Sequence, residues 1–163
     1  MRVTDKTLFA RVAGVEPYFT PETKTAIQDR AIALYGGMYE LTVEQFAALV
    51  AGNYKSVLGE LARPTVMQVY WLRRFKEFVE EFAGALKNLQ PPKDADEAIA
   101  AANLPKISPA ESMLIFARNY FGLHSFDEAS RVTLAEFLIA KRDVYITALY
   151  HQRLARAKKN KKK

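Results

Sequence analysis

Apolar residues along this chain recur at intervals of three and four positions, and the strict alternation typical of β-strands is nearly absent. The longest apolar stripe covers residues 64–89, with arginine, lysine and glutamate at the positions between, and it predicts a long central helix. A second stripe from Leu134 to Leu149 predicts a long C-terminal helix whose core-facing part ends near Leu154. The pattern therefore predicts an all-α fold, a helical bundle of about seven helices.

The shorter helices are indicated by their ends. A hydroxyl side chain followed by proline, glutamate or glutamine is typical of a helix start, because these residues satisfy the amides of the first turn. Such starts lie at residues 20–22, 42–45, 108–111, 125–128 and 133–136. Gly36, Gly52 and Gly122 follow the resulting stripes and predict helix stops. One more short helix is predicted at the alanine-rich residues 94–103.

One helical domain is predicted for residues 1–154, followed by a basic, disordered tail at residues 155–163. Two prolines interrupt the pattern at residues 90–94 and cannot donate backbone hydrogen bonds, so a sub-division at this linker is an alternative. Residues 41–46 and 132–137 share a pattern of Thr, then Gln or Glu, then Phe. Two related halves or two independent helix starts both explain this echo, and the sequence leaves the choice open.

The positive charge of the chain is concentrated at its C-terminal end. Residues 141–163 hold nine of the 24 basic residues and one of the 18 acidic residues, which leaves 15 basic and 17 acidic residues in 1–140. The net charge of +6 thus comes from one segment and not from a basic face of the fold. This segment predicts either a polyanion-binding element or a solubilising end. The candidate polyanion-binding residues are Arg153, Arg156, Lys158, Lys159, Lys161, Lys162 and Lys163.

Residue types that carry catalysis or bind metals are scarce in this chain. Cysteine is absent, and the two histidines, His124 and His151, are far apart and lack acidic residues at ligand spacing. The glutamates at residues 77–81 alternate with arginine and lysine at helical spacing, which is typical of a solvated salt-bridge face. No set of nucleophile, base and oxyanion donor emerges. The sequence therefore predicts a protein that is not an enzyme and needs no cofactor or metal.

The sequence also bears on the cellular compartment. Its first residues lack the apolar segment of a signal peptide, and no stretch approaches the roughly 20 apolar residues that a membrane span needs. We expect a soluble, cytoplasmic protein without a membrane partner.

The central helix carries an unusual density of aromatic residues. Aromatic rings beside arginines are typical of surfaces that stack on nucleic acid or bind a partner helix. The alternative interpretation is a set of core aromatics with arginine heads reaching into solvent. The candidate partner-binding residues are Tyr70, Trp71, Phe75, Phe78 and Phe82.

The last quarter of the chain resembles a family of small helical proteins from tailed bacteriophages and prophages. In these proteins a short helix of Ser-Phe-x-Glu-Ala type precedes a Met-Thr-Leu-x-Glu-Tyr/Phe start of a long helix, which is followed by His-x-x-Ala and a lysine-rich end. The matching positions here are residues 125–129, 133–137 with valine at position 132 in place of methionine, His151 with Ala155 close to the family spacing, and residues 158–163. The family is that of tail-assembly chaperones and their relatives, whose genes usually lie just before the tape-measure gene.

The resemblance implies a function in phage assembly. A protein of this family coats hydrophobic segments of the tape-measure protein, keeps them soluble and helps tail-tube subunits assemble along them. The expected partner is therefore the tape-measure or tail-tube protein, in the cytoplasm of a bacterial host cell. The family also implies extension of the lysine-rich end by ribosomal frameshifting, which the protein sequence does not test.

Two other functions compete with this expectation. A small nucleic-acid-binding or DNA-packaging protein would use the basic tail, and its affinity would fall steeply with salt. A virion connector or structural subunit would form closed rings through the central helix. A chaperone would instead bind apolar helical peptides with little dependence on salt or on the lysine-rich end.

Overall fold

The computed structural model describes residues 18–61, 64–91 and 104–160. Over these ranges the chain is helical and contains no β-strand, which confirms the all-α prediction with a long central and a long C-terminal helix. A 3₁₀ turn at Met38–Glu40 joins the first two α-helices. The α-helices are α1 at Pro21–Tyr35, α2 at Val43–Val50, α3 at Lys55–Leu58, α4 at Val66–Asn88, α5 at Pro109–Phe121, α6 at Phe126–Ser130 and α7 at Leu134–Asn160.

The chain divides into two compact units, Met1–Phe82 and Ala83–Lys163. The boundary falls inside α4, so the first unit contains most of this helix and the second contains its end. The sequence placed a sub-division later, at residues 90–94. Residues 92–94 of that linker, and the helix predicted at residues 94–103, lie outside the described residues.

Several helices begin at the positions that the sequence predicts. The Thr20 hydroxyl accepts a hydrogen bond from the Thr23 amide at 3.2 Å, and Pro21 follows at the first helical position of α1. The Ser108 hydroxyl accepts one from the Glu111 amide at 3.1 Å at the start of α5. Each bond satisfies an amide that the helix itself leaves without a partner. The local sequence therefore accounts for these boundaries.

Aromatic rings form the core of the first unit. Phe46 of α2 lies against α4, with ring centroids 5.9 Å from Phe75, 6.4 Å from Phe78 and 5.1 Å from Phe82. Tyr39, in the 3₁₀ turn, lies edge-on to Phe78 with ring centroids 5.0 Å apart. Edge-to-face contacts of this kind stabilise a core beyond the burial of area alone. The rings of Phe75, Phe78 and Phe82 on α4 are thus in contact with rings of the first unit.

Two polar side chains of α4 attach the surrounding loops to this core. The indole N–H of Trp71 donates to the Gly36 carbonyl at 2.9 Å, which holds the chain where α1 ends. The amide of Gln68 donates to the Leu58 carbonyl at 2.9 Å, and its oxygen accepts from the Thr65 amide at 2.8 Å. Gln68 is buried, and its hydrogen bonds offset the cost of removing an amide from water.

The turn between α5 and α6 is held by local hydrogen bonds. Gly122 adopts the left-handed conformation at φ 63°, and the Leu123 amide donates back to the Arg118 carbonyl at 2.9 Å. The Glu128 carboxylate then accepts from the His124 amide at 2.9 Å. Across the turn, the Arg118 guanidinium lies 4.8 Å from the ring centroid of Phe126. These contacts position α6 beside α5 ahead of the long helix.

The C-terminal helix differs from its prediction at its far end. Residues 155–160 were predicted to belong to a disordered tail, but α7 continues through them to Asn160. Alanine, arginine and lysine have high helix propensity, and lysines in the last turn interact favourably with the negative end of the helix dipole. These two effects account for the helical continuation. Residues 161–163 of the predicted tail lie outside the described residues.

Candidate protein-binding surface

The five aromatic residues predicted to bind a partner lie in the core of the first unit. Each is at most 7% exposed, and Trp71 and Phe78 are fully buried. They present no surface to a partner, so their assignment as a binding surface is corrected. The alternative interpretation, core aromatics on a helix with arginines in solvent, describes them better. The residues concerned are Tyr70, Trp71, Phe75, Phe78 and Phe82.

The arginines and glutamates of α4 form an ion-pair face. Arg74 donates two hydrogen bonds to the Glu81 carboxylate, at 2.8 and 3.0 Å, and lies 3.5 Å from Glu77. The bond to Glu81 raises the pKa of Arg74, and the bond from Arg74 lowers the pKa of Glu81. Both groups are therefore held in their charged forms. This arrangement is a solvated salt-bridge face, as the helical spacing predicts.

The second unit positions α7 through a capping box and a buried face. The Glu136 carboxylate accepts from the Thr133 amide at 2.8 Å, and the Thr133 hydroxyl accepts from the Glu136 amide at 3.2 Å. The bond from the Thr133 amide lowers the pKa of Glu136. One turn further, Phe137 lies edge-on to Phe116 of α5, with ring centroids 5.2 Å apart. The start of α7 is thereby anchored to its own unit.

Two further contacts hold α7 against α5. The Lys141 ammonium lies 3.8 Å from the ring centroid of Phe116, and burial lowers the pKa of this lysine. The Tyr120 hydroxyl donates to the Asp143 carboxylate at 2.8 Å, which raises the pKa of Tyr120. Lys141 lies on the same side of α7 as Phe137 and helps to turn that face inward, whereas Asp143 lies roughly 160° from Lys141 around the axis.

The opposite face of α7 carries an exposed apolar stripe. Ile139, Ile146 and Tyr150 are 69%, 52% and 62% exposed. At 3.6 residues per turn these three lie within roughly 40° of one another around the helix axis. Phe137, on the buried face, lies roughly 160° from Ile139 by the same geometry. We call Ile139, Ile146 and Tyr150 the outer stripe.

Cationic side chains lie along one flank of the outer stripe. Arg142, Arg153 and Arg156 are exposed and lie roughly 40° to 100° from Ile139, all in the same direction around the axis. Lys158 and Lys159 follow in the last turn of α7 and are also exposed. The structure thus places four of the predicted polyanion-binding residues, Arg153, Arg156, Lys158 and Lys159, at one end of α7. The other three lie beyond the described residues.

The outer stripe was not among the predicted site residues. The apolar stripe that predicts α7 contains Leu134 and Phe137, and these residues form its inward face. A signal for the second face was nevertheless present, because Ile139 and Ile146 are seven positions apart and Tyr150 follows four later. A helix with apolar residues on two opposite faces has one face available for a second partner.

A groove of about 370 Å³ lies in the first unit between α2, the segment leading into α3, and α4. Its lining is mainly apolar, with one lysine and one glutamate at the edge. The lining residues are Leu49, Val50, Tyr54, Leu72, Phe75, Lys76, Val79 and Glu80. Because its lining carries charges of both signs, the groove favours no class of ligand as clearly as the outer stripe favours an apolar surface.

Within residues 18–61, 64–91 and 104–160, no group of three or more His, Asp or Glu lies close enough to hold a metal ion. The described helices also include none with the length and hydropathy of a membrane span. Of the two histidines, His151 contacts the ring of Tyr150, and the backbone amide of His124 donates a hydrogen bond to the Glu128 carboxylate.

Comparison with known proteins assigns no family to this surface. No protein-family model, no curated protein and no solved structure matches the chain. The role of the outer stripe is therefore inferred from the geometry and charge of α7.

Proposed function

We propose that this chain is a non-enzymatic assembly chaperone that binds hydrophobic helical segments of a partner protein. The partner that the sequence resemblance implies is the tape-measure protein of a tailed phage. The observation that carries the proposal is the outer stripe of α7, whose three large apolar side chains lie in a line and are more than half exposed. Keeping such a line in water is unfavourable, and covering it with a partner is favourable.

The shape of the surface favours a helical partner. Apolar residues separated by seven and four positions form a straight ridge on a helix, which packs into the groove between side-chain rows of another helix. From Ile139 to Tyr150 the ridge is roughly 16 Å long at 1.5 Å per residue, about three turns. A hydrophobic helical segment of a few turns matches this length. The inward anchoring of α7 by Phe137 and Lys141 keeps the ridge in place.

The test is a binding titration with hydrophobic helical peptides from a tape-measure protein of the same genome. Ile139→Gln, Ile146→Gln and Tyr150→Gln combined should weaken binding by at least about tenfold, because three buried apolar contacts are lost. Glutamine is a good helix former, so α7 itself should persist. Fluorescence anisotropy at high salt, where contacts between charges are screened, measures the affinity that the apolar contacts provide.

A control variant changes three exposed apolar residues elsewhere, Leu34→Gln, Leu104→Gln and Ile107→Gln. It should bind the peptides as the unchanged protein does. Equal loss in both variants, or no peptide binding by the unchanged protein, contradicts the proposal. Far-ultraviolet circular dichroism of each variant excludes loss of helix as the cause.

Nucleic-acid binding is a second candidate, favoured by the charge at the end of α7. Arg153, Arg156, Lys158 and Lys159 are exposed, and no acidic residue follows Asp143 in the chain. Counterion release would make such binding fall steeply as salt rises. Truncation after Ala157 should weaken DNA binding strongly under this candidate and leave peptide binding unchanged under the chaperone function. A gel-shift titration at two salt concentrations separates the two.

A further inference from the structure

The charges along the outer stripe are unequal on its two flanks. On one flank lie Arg142, Arg153 and Arg156, and none of them is within ion-pair distance of a carboxylate among the described residues. On the other flank lie Glu136 and Asp143, roughly 40° to 60° from Ile139. The flanks of a helix-binding ridge determine which partner helices are accepted, because charged residues at these positions face each other across a helix pair.

The two acidic residues do not compensate the arginines. The Glu136 carboxylate is bound to the Thr133 amide and hydroxyl, at 2.8 and 2.9 Å. The Asp143 carboxylate accepts from the Tyr120 hydroxyl at 2.8 Å. These hydrogen bonds do not neutralise a carboxylate, but both acidic residues lie on the other flank, and Arg153 and Arg156 lie at least roughly 15 Å beyond Asp143 along the axis. The far part of the arginine flank therefore has no carboxylate of α7 beside it. A partner that supplies negative charge along this flank removes the imbalance.

We propose that the outer stripe selects amphipathic helices that carry acidic residues along one side of their apolar face. This inference rests on the proposed chaperone function and names the partner chemistry at the same site. The apolar side chains of the partner cover Ile139, Ile146 and Tyr150, and its carboxylates lie opposite Arg142, Arg153 and Arg156. Arginine is suited to this role because its planar guanidinium binds a carboxylate through two hydrogen bonds.

A second copy of this chain fits the surface less well. Its own outer stripe is flanked by the same three arginines, and its nearby acidic residues are already bound to Thr133 and Tyr120. Pairing of two α7 helices in antiparallel orientation places the arginine flanks against each other, which is unfavourable. Pairing in parallel places the arginine flank opposite the flank with the acidic residues, but no acidic residue follows Asp143, so Arg153 and Arg156 find no carboxylate at their level. The charge pattern therefore favours an acidic helix over a second copy.

The experiment uses the full chain and three synthetic helical peptides of roughly six turns with identical apolar residues. Their flanks carry glutamate, glutamine or lysine. At low salt the glutamate peptide should bind about tenfold more tightly than the lysine peptide, because exposed ion pairs contribute modestly and add over three sites. This ratio should shrink at high salt as the charges are screened. Fluorescence anisotropy measures the three affinities.

Arg142→Gln, Arg153→Gln and Arg156→Gln combined should abolish the preference and leave the affinity for the glutamine-flanked peptide within about twofold, since the apolar contacts remain. A control variant, Arg30→Gln, Lys87→Gln and Lys106→Gln, removes the same net charge elsewhere and should keep the preference. If the arginine variant keeps it, or if all three peptides bind equally, the inference is wrong while the proposed function stands. If no peptide binds, the proposed function fails as well.

Other occupants of the surface give different results. A homodimer that dissociates on addition of the peptide, seen by analytical ultracentrifugation, identifies a second copy as the occupant and overturns the inference. Binding to anionic vesicles through the outer stripe, without discrimination among the three peptides, overturns it in favour of a lipid surface. A glutamate-peptide preference that disappears only in the arginine variant supports it.

Discussion

The helices α2 and α7 begin with the same device and end very differently. In α2 the Gln45 side chain accepts from the Thr42 amide at 3.0 Å, and the Thr42 hydroxyl accepts from the Gln45 amide at 3.2 Å. In α7 the corresponding bonds of Thr133 and Glu136 measure 2.8 and 3.2 Å. Each box is followed by a phenylalanine that lies against rings of another helix. The starts are equivalent, so the start does not determine what the helix later offers.

The stops make the difference. Helix α2 ends after 8 residues, and Gly52 takes φ 84° just beyond its end. Helix α7 runs for 27 residues, and no glycine occurs in its sequence. Its fully buried residues are confined to the part before Lys141, while the outer stripe extends to Tyr150. A helix that extends beyond its buried segment leaves apolar residues exposed to a partner. In a short helix, most of the apolar residues are taken up by the core of its own unit.

The largest expected difference in stability is between a substitution in the aromatic core and a substitution in the outer stripe. Phe78→Ala should lower the free energy of unfolding by about 3–5 kcal/mol, because a fully buried ring is lost and a cavity remains. Ile146→Ala on the outer stripe should change it by less than about 0.5 kcal/mol. Urea unfolding followed by circular dichroism measures both. A comparable loss for Ile146 would mean that the outer stripe is already packed.

The next largest effect on stability is expected for the hydrogen bond that holds the chain at the end of α1. Trp71→Phe removes the donor to the Gly36 carbonyl and should lower the free energy of unfolding by about 1–3 kcal/mol. Tyr39→Leu is a comparison in the same region, since Tyr39 is partly exposed and contributes one edge contact. Its expected loss is smaller. If Trp71→Phe is neutral by urea unfolding, the hydrogen bond is replaced by water at no cost.

Replacing the glycine just after the end of α2 should change the free energy of unfolding in the opposite direction to replacing a glycine inside a helix. Gly52→Ala should lower the free energy of unfolding by about 1–2 kcal/mol, because a Cβ is unfavourable at positive φ although nothing lies within 4 Å. Gly84→Ala lies inside α4 with equally open space and should raise it by about 0.5–1 kcal/mol. Thermal and urea unfolding of the pair check the signs. Two changes of the same sign would contradict the role of Gly52 as a stop.

The smallest expected effect is a dependence of stability on pH that only one of the two capping boxes should show. The Thr133 amide lowers the pKa of Glu136 below its ordinary value of 4.5, whereas Gln45 in the other box does not titrate. The stability that ionised Glu136 contributes is therefore present above its unfolded pKa and lost as the pH falls through its folded pKa. Unfolding of the unchanged protein and Glu136→Gln between pH 7 and pH 3 should show a difference that shrinks with falling pH. A constant difference would exclude Glu136 as its source.

Part of this structure could be predicted because it depends on neighbouring residues. The starts of α1, α5 and α7 follow from hydroxyl, proline and glutamate residues that satisfy the first amides of a helix locally. The length of α4 follows from an uninterrupted apolar stripe. The end of α7 was predicted too early, because a run of basic residues was given more weight than the helix propensity of alanine, arginine and lysine.

The candidate site was not predictable in the same way. The sequence by itself determined that α4 and α7 form and that both are rich in apolar residues. Only the tertiary structure decided which residues are covered: Phe46 and Tyr39 cover the rings of α4, while the contacts of Phe137 and Lys141 with Phe116 turn Ile139, Ile146 and Tyr150 outward. The reason is physical. Helix formation is governed by residues within a few positions along the chain, whereas burial depends on which distant segment packs against each face.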